Sequence, residues 1–139
     1  MKLNDIREGN YVKEFEFSSR GRALEPFYRV KYDDLGYWHF MVGIPITLEW
    51  CRHLKMDTEE VMPHATNANF DWIAEAAGLR VRGFKDGITV SHSMGGSTSI
   101  LEHIKYVHQL QNFFYGYWGF EIDEENPTEF YNGPKNEIN

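Results

Sequence analysis

The chain has 139 residues, of which 42% are hydrophobic and 16% aromatic, and a net charge of −7. That length suits one domain burying about two-thirds of the surface its unfolded chain exposes, and the aromatic content excludes a disordered protein. No apolar run reaches the ~20 residues of a membrane span, and the single Cys51 precludes an internal disulfide. Met1 to Asp5 opens into polar sequence without a signal-peptide core, so a cytoplasmic setting is expected.

In chain order, residues 1–45 read as β-rich. Gly9-Asn10 turns into a strand carrying Val12, Phe15 and Phe17, and Ser18 to Arg22 reads as a loop. Phe27 to Tyr32 alternates as a strand, Asp33 to Gly36 turns, and Tyr37 to Val42 returns, which predicts a hairpin. Thr47 then caps a short helix, TLEWCRHL, with Leu48, Cys51 and Leu54 on one face. Signals weaken from Lys55 to Asn69, where Pro63 forbids a long helix and His64 to Asn67 resembles a loop. Asp71 to Ala77 favours a short helix ending at Gly78, with a strand from Phe70 as the alternative. Leu79 to Phe84 and Ile88 to His92 flank Lys85-Asp86-Gly87, a hairpin signature.

The stretch from Ser97 to Gly119 carries the strongest periodicity. At 100° per residue, Ile100, Ile104, Val107, Leu110, Phe114 and Trp118 fill a broad arc, opposite Glu102, Lys105, Gln109, Asn112 and Gly116. Ser99 with Glu102 has the spacing of a capping box, and Gly119 is a natural stop, which predicts a long amphipathic helix over about 99–118. The expected fold is therefore α+β, a mostly antiparallel sheet of short strands with two short helices and this long one packed on it. The expected domain spans 1–122. Residues 121–139 hold six acids against Lys135, and 123–139 read as an acidic tail interrupted by Asn126-Pro127 and Gly133-Pro134.

Three stretches resemble a family of small, uncharacterised proteins encoded in bacterial genomes, prophages and phages. Ile6 to Val12 is similar to its "RIGNYV" box, Gly43 to Cys51 to "PIPLTEEWL", and Ile104 to Ile122 to "IKYVHQLQNLYFALTGEEL", with Ile104 to Asn112 unbroken. The sequence departs from the family at Phe120 and in its longer tail, and residues 55–98 match none of the boxes. The resemblance implies a phage or mobile-element setting and a structural role for the last helix. It brings no activity to carry over.

Candidate chemistry is sparse. Ile88 to Gly96 imitates a nucleophile elbow around Ser93, but Ser91 replaces the first glycine, the predicted helix starts too late, and no His follows His108, so a hydrolase is not expected. Gly95, Gly96, Ser97, Thr98 and Ser99 before a helix would offer N–H groups to an anion, with Arg80 and Arg82 as basic partners, although ordinary capping explains the same residues. His103 and His108 are five residues apart, and no His, Cys or carboxylate spacing specifies a metal or another cofactor. His108 and Gln111 read as buried-edge polar groups, Gln111 bonding a neighbouring backbone. Tyr115, Tyr117 and Trp118 are candidates for an interface.

These readings lead to a non-catalytic binding protein of phage or mobile-element origin that modulates or inhibits a bacterial host or defence protein. The alternatives are a protein sequestering a small anionic ligand or nucleotide at the Gly/Ser loop, and a structural or assembly protein. Broad nucleic-acid binding is disfavoured because it needs a basic face, no membrane partner is expected, and a homo-oligomer stays open.

Overall fold

The computed structural model describes residues 5–14, 26–61 and 70–124. The expectations for Phe15, Phe17, the Ser18 to Arg22 loop, His64 to Asn67 and the tail from Glu125 onward lie outside them.

Antiparallel sheets and short helices make the fold α+β. A small sheet has the order β2-β1-β3, from β1 (Tyr11–Glu14), β2 (Tyr28–Arg29) and β3 (Met41–Val42). A five-stranded meander follows, β4 (Asp57–Glu60), β5 (Trp72–Ala76), β6 (Leu79–Phe84), β7 (Gly87–Met94) and β8 (Ser97–Ile100), each strand antiparallel to the next. Helix α1 (Leu48–His53) leads into the meander and α2 (Val107–Trp118) follows it.

Alternation along β6 shows how the meander makes a core. Leu79, Val81 and Gly83 are buried, and Arg80, Arg82 and Phe84 between them are only half-buried. Leu79 and Val81, with Ala74 and Val90 of the neighbouring strands, join Cys51 and Leu54 at α1 and Val107, Leu110 and Phe114 of α2 in one cluster. A satellite cluster of Ile6, Val12, Tyr28, Val30 and Met41 fills the small sheet. Cys51 is fully buried, and burial pushes its thiol pKa up to about 12, so it serves as packing rather than as a nucleophile.

Several expectations hold. Thr47 caps α1, its hydroxyl accepting the Trp50 N–H at 3.2 Å. The Leu79 to His92 hairpin forms as expected, and Gly119, at φ 81°, ends α2 in the left-handed conformation.

Others need correction. The helix does not span 99–118: Ser97–Ile100 is a strand, Glu102 and His103 turn, and α2 begins at Val107. Gly95 and Gly96 both have positive φ (57° and 88°), the requirement of a type I′ turn, and this turn pairs β8 back onto β7. The proposed Ser99–Glu102 capping box is thus absent, and Gln109 does the capping, its Oε1 accepting the N–H groups of Lys105 (2.8 Å) and Tyr106 (3.0 Å). The Asp71 to Ala77 helix is instead strand β5, paired on both sides, with Ala77 and Gly78 forming the turn into β6. The hairpin expected across 27–42 is not one: β2 and β3 both pair with β1, and Tyr32–Phe40 winds as 3-10 turns. There the Asp34 carboxylate accepts the Lys31 N–H at 2.8 Å, a local bond that favours winding over extension.

Candidate functional site

The stretches 6–12 and 43–51 converge on α2. Pro45 bridges Tyr106, and the Val107 N–H donates to the Ile44 carbonyl at 2.8 Å, which ties the middle stretch to the helix start. Gln111, fully buried, accepts the Tyr11 N–H at 2.8 Å and donates to the Gly9 carbonyl at 3.0 Å. Asn112 accepts from Asn10 at 2.8 Å and from the Arg7 Nε at 3.1 Å. Arg7 then forks onto Glu121 (2.5 and 3.1 Å) and covers the Tyr115 ring at 4.1 Å. The expected role of Gln111 as a backbone-bonding buried amide is met directly.

This framework holds up an aromatic platform. Tyr11 of β1, Phe27 before β2, and Trp50 and His53 of α1 make all six possible ring contacts, with centroids 4.8–5.9 Å apart and mostly edge-to-face. Trp50 and His53 are three apart on α1, which turns both to one side. Arg29 lies over the Tyr11 ring at 4.8 Å and grips Asp123 through two bonds of 3.0 and 3.1 Å. Burial works against the Arg29 charge, but the hydrogen bond and charge of Asp123 outweigh it, and its pKa is raised. Burial instead raises the Tyr11 pKa, so its hydroxyl remains protonated beside Asp123. Asp123, the first residue of the expected 123–139 tail, is therefore anchored to the body.

A groove of about 290 Å³ lies on the platform, lined by Phe27, Glu49, Trp50 and His53. Phe27 keeps 37% of its surface exposed. Glu49 is the acid in its lining; Arg52 bonds it at 3.2 Å and reaches Glu60 of β4 at 3.3 Å. Tight mutual packing leaves no gap between the rings for a small ligand, so the platform offers a surface rather than a cage. Composition alone did not single out these four rings. The Trp50–His53 spacing on a capped helix was the available signal.

The other candidate residues are dispersed. Gly95 and Gly96 form the tip of a hairpin, so no helix dipole acts there, and Ser97, Thr98 and Ser99 alternate between the two faces of β8. Arg80 pairs with Glu75 at 3.2 Å, and Arg82 lies over Phe70 at 5.5 Å. Ser93 bonds the Thr98 hydroxyl at 2.9 Å, whereas His92 packs on Phe113 (5.2 Å) and Tyr117 (4.6 Å) across the strand, so the two make no nucleophile–base pair. Tyr117 touches Met94 and Trp118 and stays exposed, and Tyr115, under Arg7, is exposed to the same extent. Among the described residues no three His, Cys, Asp or Glu side chains converge as ligands.

A second concavity, of about 380 Å³, is lined by Asp5, Met41, Gly43, Tyr106 and His108. His108 is buried, stacks 6.0 Å from the Tyr106 ring, and has a buried Nδ1 without a hydrogen-bond partner. Burial lowers its pKa, with the Asp5 charge opposing in part. The unfolded chain therefore binds this proton more tightly, and stability should fall as pH drops through the ordinary imidazole range. Denaturant unfolding at about pH 7 and pH 5 should show that loss in the wild type, and a smaller one in His108→Asn. Equal losses would mean that His108 titrates as freely in the folded chain as in the unfolded one.

No family model, curated protein or solved structure matches the chain.

Proposed function

We propose that this chain acts by binding, docking its Tyr11–Phe27–Trp50–His53 platform onto a basic segment of a bacterial host or defence protein in the cytoplasm. The phage or mobile-element origin implied by the family resemblance supplies the setting. The observation that carries the reading is the platform itself. It is a cluster of four rings held by ion-paired and backbone-bonded framework residues, partly open to solvent, with Glu49 in its groove on a chain of net charge −7. Such a surface combines the large, stiff aromatic contact area of interface hot spots with charge that steers a cationic partner.

Trp50→Ala is expected to weaken capture of the partner by at least ~30-fold, the equivalent of a hot-spot residue worth about 2 kcal/mol, and to leave α2 and the meander intact. Quantitative cross-linking in bacterial lysate, comparing wild type, Trp50→Ala and Tyr37→Ala, measures this, with Tyr37 as an exposed aromatic away from the platform. The captured complex should also weaken as salt rises. A partner retained equally by Trp50→Ala, or turnover of a substrate abolished by a point substitution elsewhere, would overturn the proposal.

A further inference from the structure

Among the described residues, the last strand of the meander is an unpaired edge. All four residues of β8 are exposed, and none is charged or proline. The opposite edge, β4, carries Asp57, Glu59 and Glu60, the kind of charged strand that resists pairing with another chain. Register fixes which β8 groups face outward. Leu101 donates to Val90 at 2.8 Å, and Ser99 and Ser97 pair with His92 and Met94 across the type I′ turn. By alternation, the N–H and C=O groups of Thr98 and Ile100 point away from the sheet. No backbone hydrogen bond engages them among the described residues. Apolar side chains flank this edge on both faces: Ile100 is 56% exposed on one, and Met94, 57% exposed, lies against Tyr117 on the other. A groove of about 350 Å³ opens beside the strand end, lined by Ile88, Ile100, Leu101 and Ile104 and bordered by Glu102 and Lys105, one charge of each sign.

We propose that β8 is a self-association edge, at which two copies of this chain pair antiparallel about a two-fold axis through Ser99. In that register Thr98 of each copy faces Ile100 of the other, and their outward N–H and C=O groups form four intermolecular hydrogen bonds. The two meanders become one continuous ten-stranded sheet, five strands from each copy. The occupant follows from charge and symmetry. A strand of the sequence STSI sets no like charges opposite one another when it meets itself, and it offers a charged foreign strand no counterion. The same pairing at β4 would set acids against acids. An isologous contact also closes, which leaves the acidic β4 strands as the outer edges of the pair.

The test is sedimentation of the full chain from micromolar to millimolar concentration, with backbone amide exchange at both extremes. A concentration-dependent dimer is expected, with the Thr98 and Ile100 amides protected in the dimer and exchanging rapidly in the monomer. Association should strengthen with salt because each copy carries a charge of −7, the reverse of the platform's salt response. Ile100→Lys should weaken it at least ~10-fold, about 1.4 kcal/mol, since two pairs are lost per dimer. Thr98→Lys should act alike and serves as the second variant should either disturb folding. A chain that stays monomeric throughout, a dimer indifferent to both substitutions, or Thr98 and Ile100 amides that exchange freely in the dimer would each overturn the proposal. Protection of those amides in the monomer would do the same, by showing that the edge is already covered.

Discussion

Leu110→Ala is expected to destabilise the protein by about 3 kcal/mol, within the range measured for leucines truncated in close-packed cores. Leu110 is fully buried in the first turn of α2, in the cluster that joins the helix to Leu79, Val81 and Val90 of the meander. Its removal leaves a void walled by two rigid elements, a paired sheet and a helix pinned at both ends. The helix start is tied to Ile44 and capped by Gln109, and its end is fixed by Gly119. Collapse of the site is therefore limited, which puts the cost above the hydrophobic transfer term alone. Val107→Ala, which removes fewer carbons from the same fully buried face, should cost about 2 kcal/mol or less. For a chain of this size, 3 kcal/mol lowers the thermal midpoint by about 10 °C. Thermal and urea denaturation measure both, and unchanged midpoints would remove α2 from the core.

How far the sequence reveals this fold depends on which signal is local. Thr47 with TLEWCRHL and Lys85-Asp86-Gly87 specify their elements through caps and turns, which act within four residues, and both are present as read. The long-helix expectation fails because the apolar periodicity runs across a turn at Glu102 and His103. Between Ser97 and Tyr106 it rested on Ile100 and Ile104 alone. Ile104 is buried, but Ile100 is exposed on a strand. The Gly95-Gly96 pair was the stronger signal, since adjacent glycines supply the two positive φ angles that a tight hairpin needs. Asp71 to Ala77 looked helical by Ala and Glu content, yet Ala74 sits at the centre of a sheet paired on both sides. Burial and pairing there override a propensity of a few tenths of a kcal/mol per residue. The site was less legible still. Tyr11, Phe27, Trp50 and His53 span 43 positions of sequence, and only the folding of β1 against α1 brings them together.

Gln111 was legible because a fully apolar arc with one amide in it demands a partner, and its replacement gives the second large effect. Gln111→Leu is nearly isosteric, so it opens little cavity and isolates the hydrogen bonds. It orphans the Tyr11 N–H, which the Gln111 Oε1 accepts at 2.8 Å at the start of β1. The Gly9 carbonyl loses the Nε2 donor but keeps the Arg29 Nε at 2.9 Å. One orphaned buried donor and one lost bond should together cost about 2–3 kcal/mol. Gln111→Glu should cost more, because a carboxylate would be desolvated with one oxygen turned toward the Gly9 carbonyl. Denaturant unfolding gives the size, and exchange of the Tyr11 amide gives the location. That amide should lose protection in Gln111→Leu before the meander does. Because Tyr11 carries one ring of the platform, Gln111→Leu should also weaken partner capture under conditions where the chain stays folded. Trp50→Ala should weaken capture without the accompanying loss at Tyr11. A Gln111→Leu variant as stable as the wild type, with the Tyr11 amide still protected, would show that packing alone joins β1 to α2.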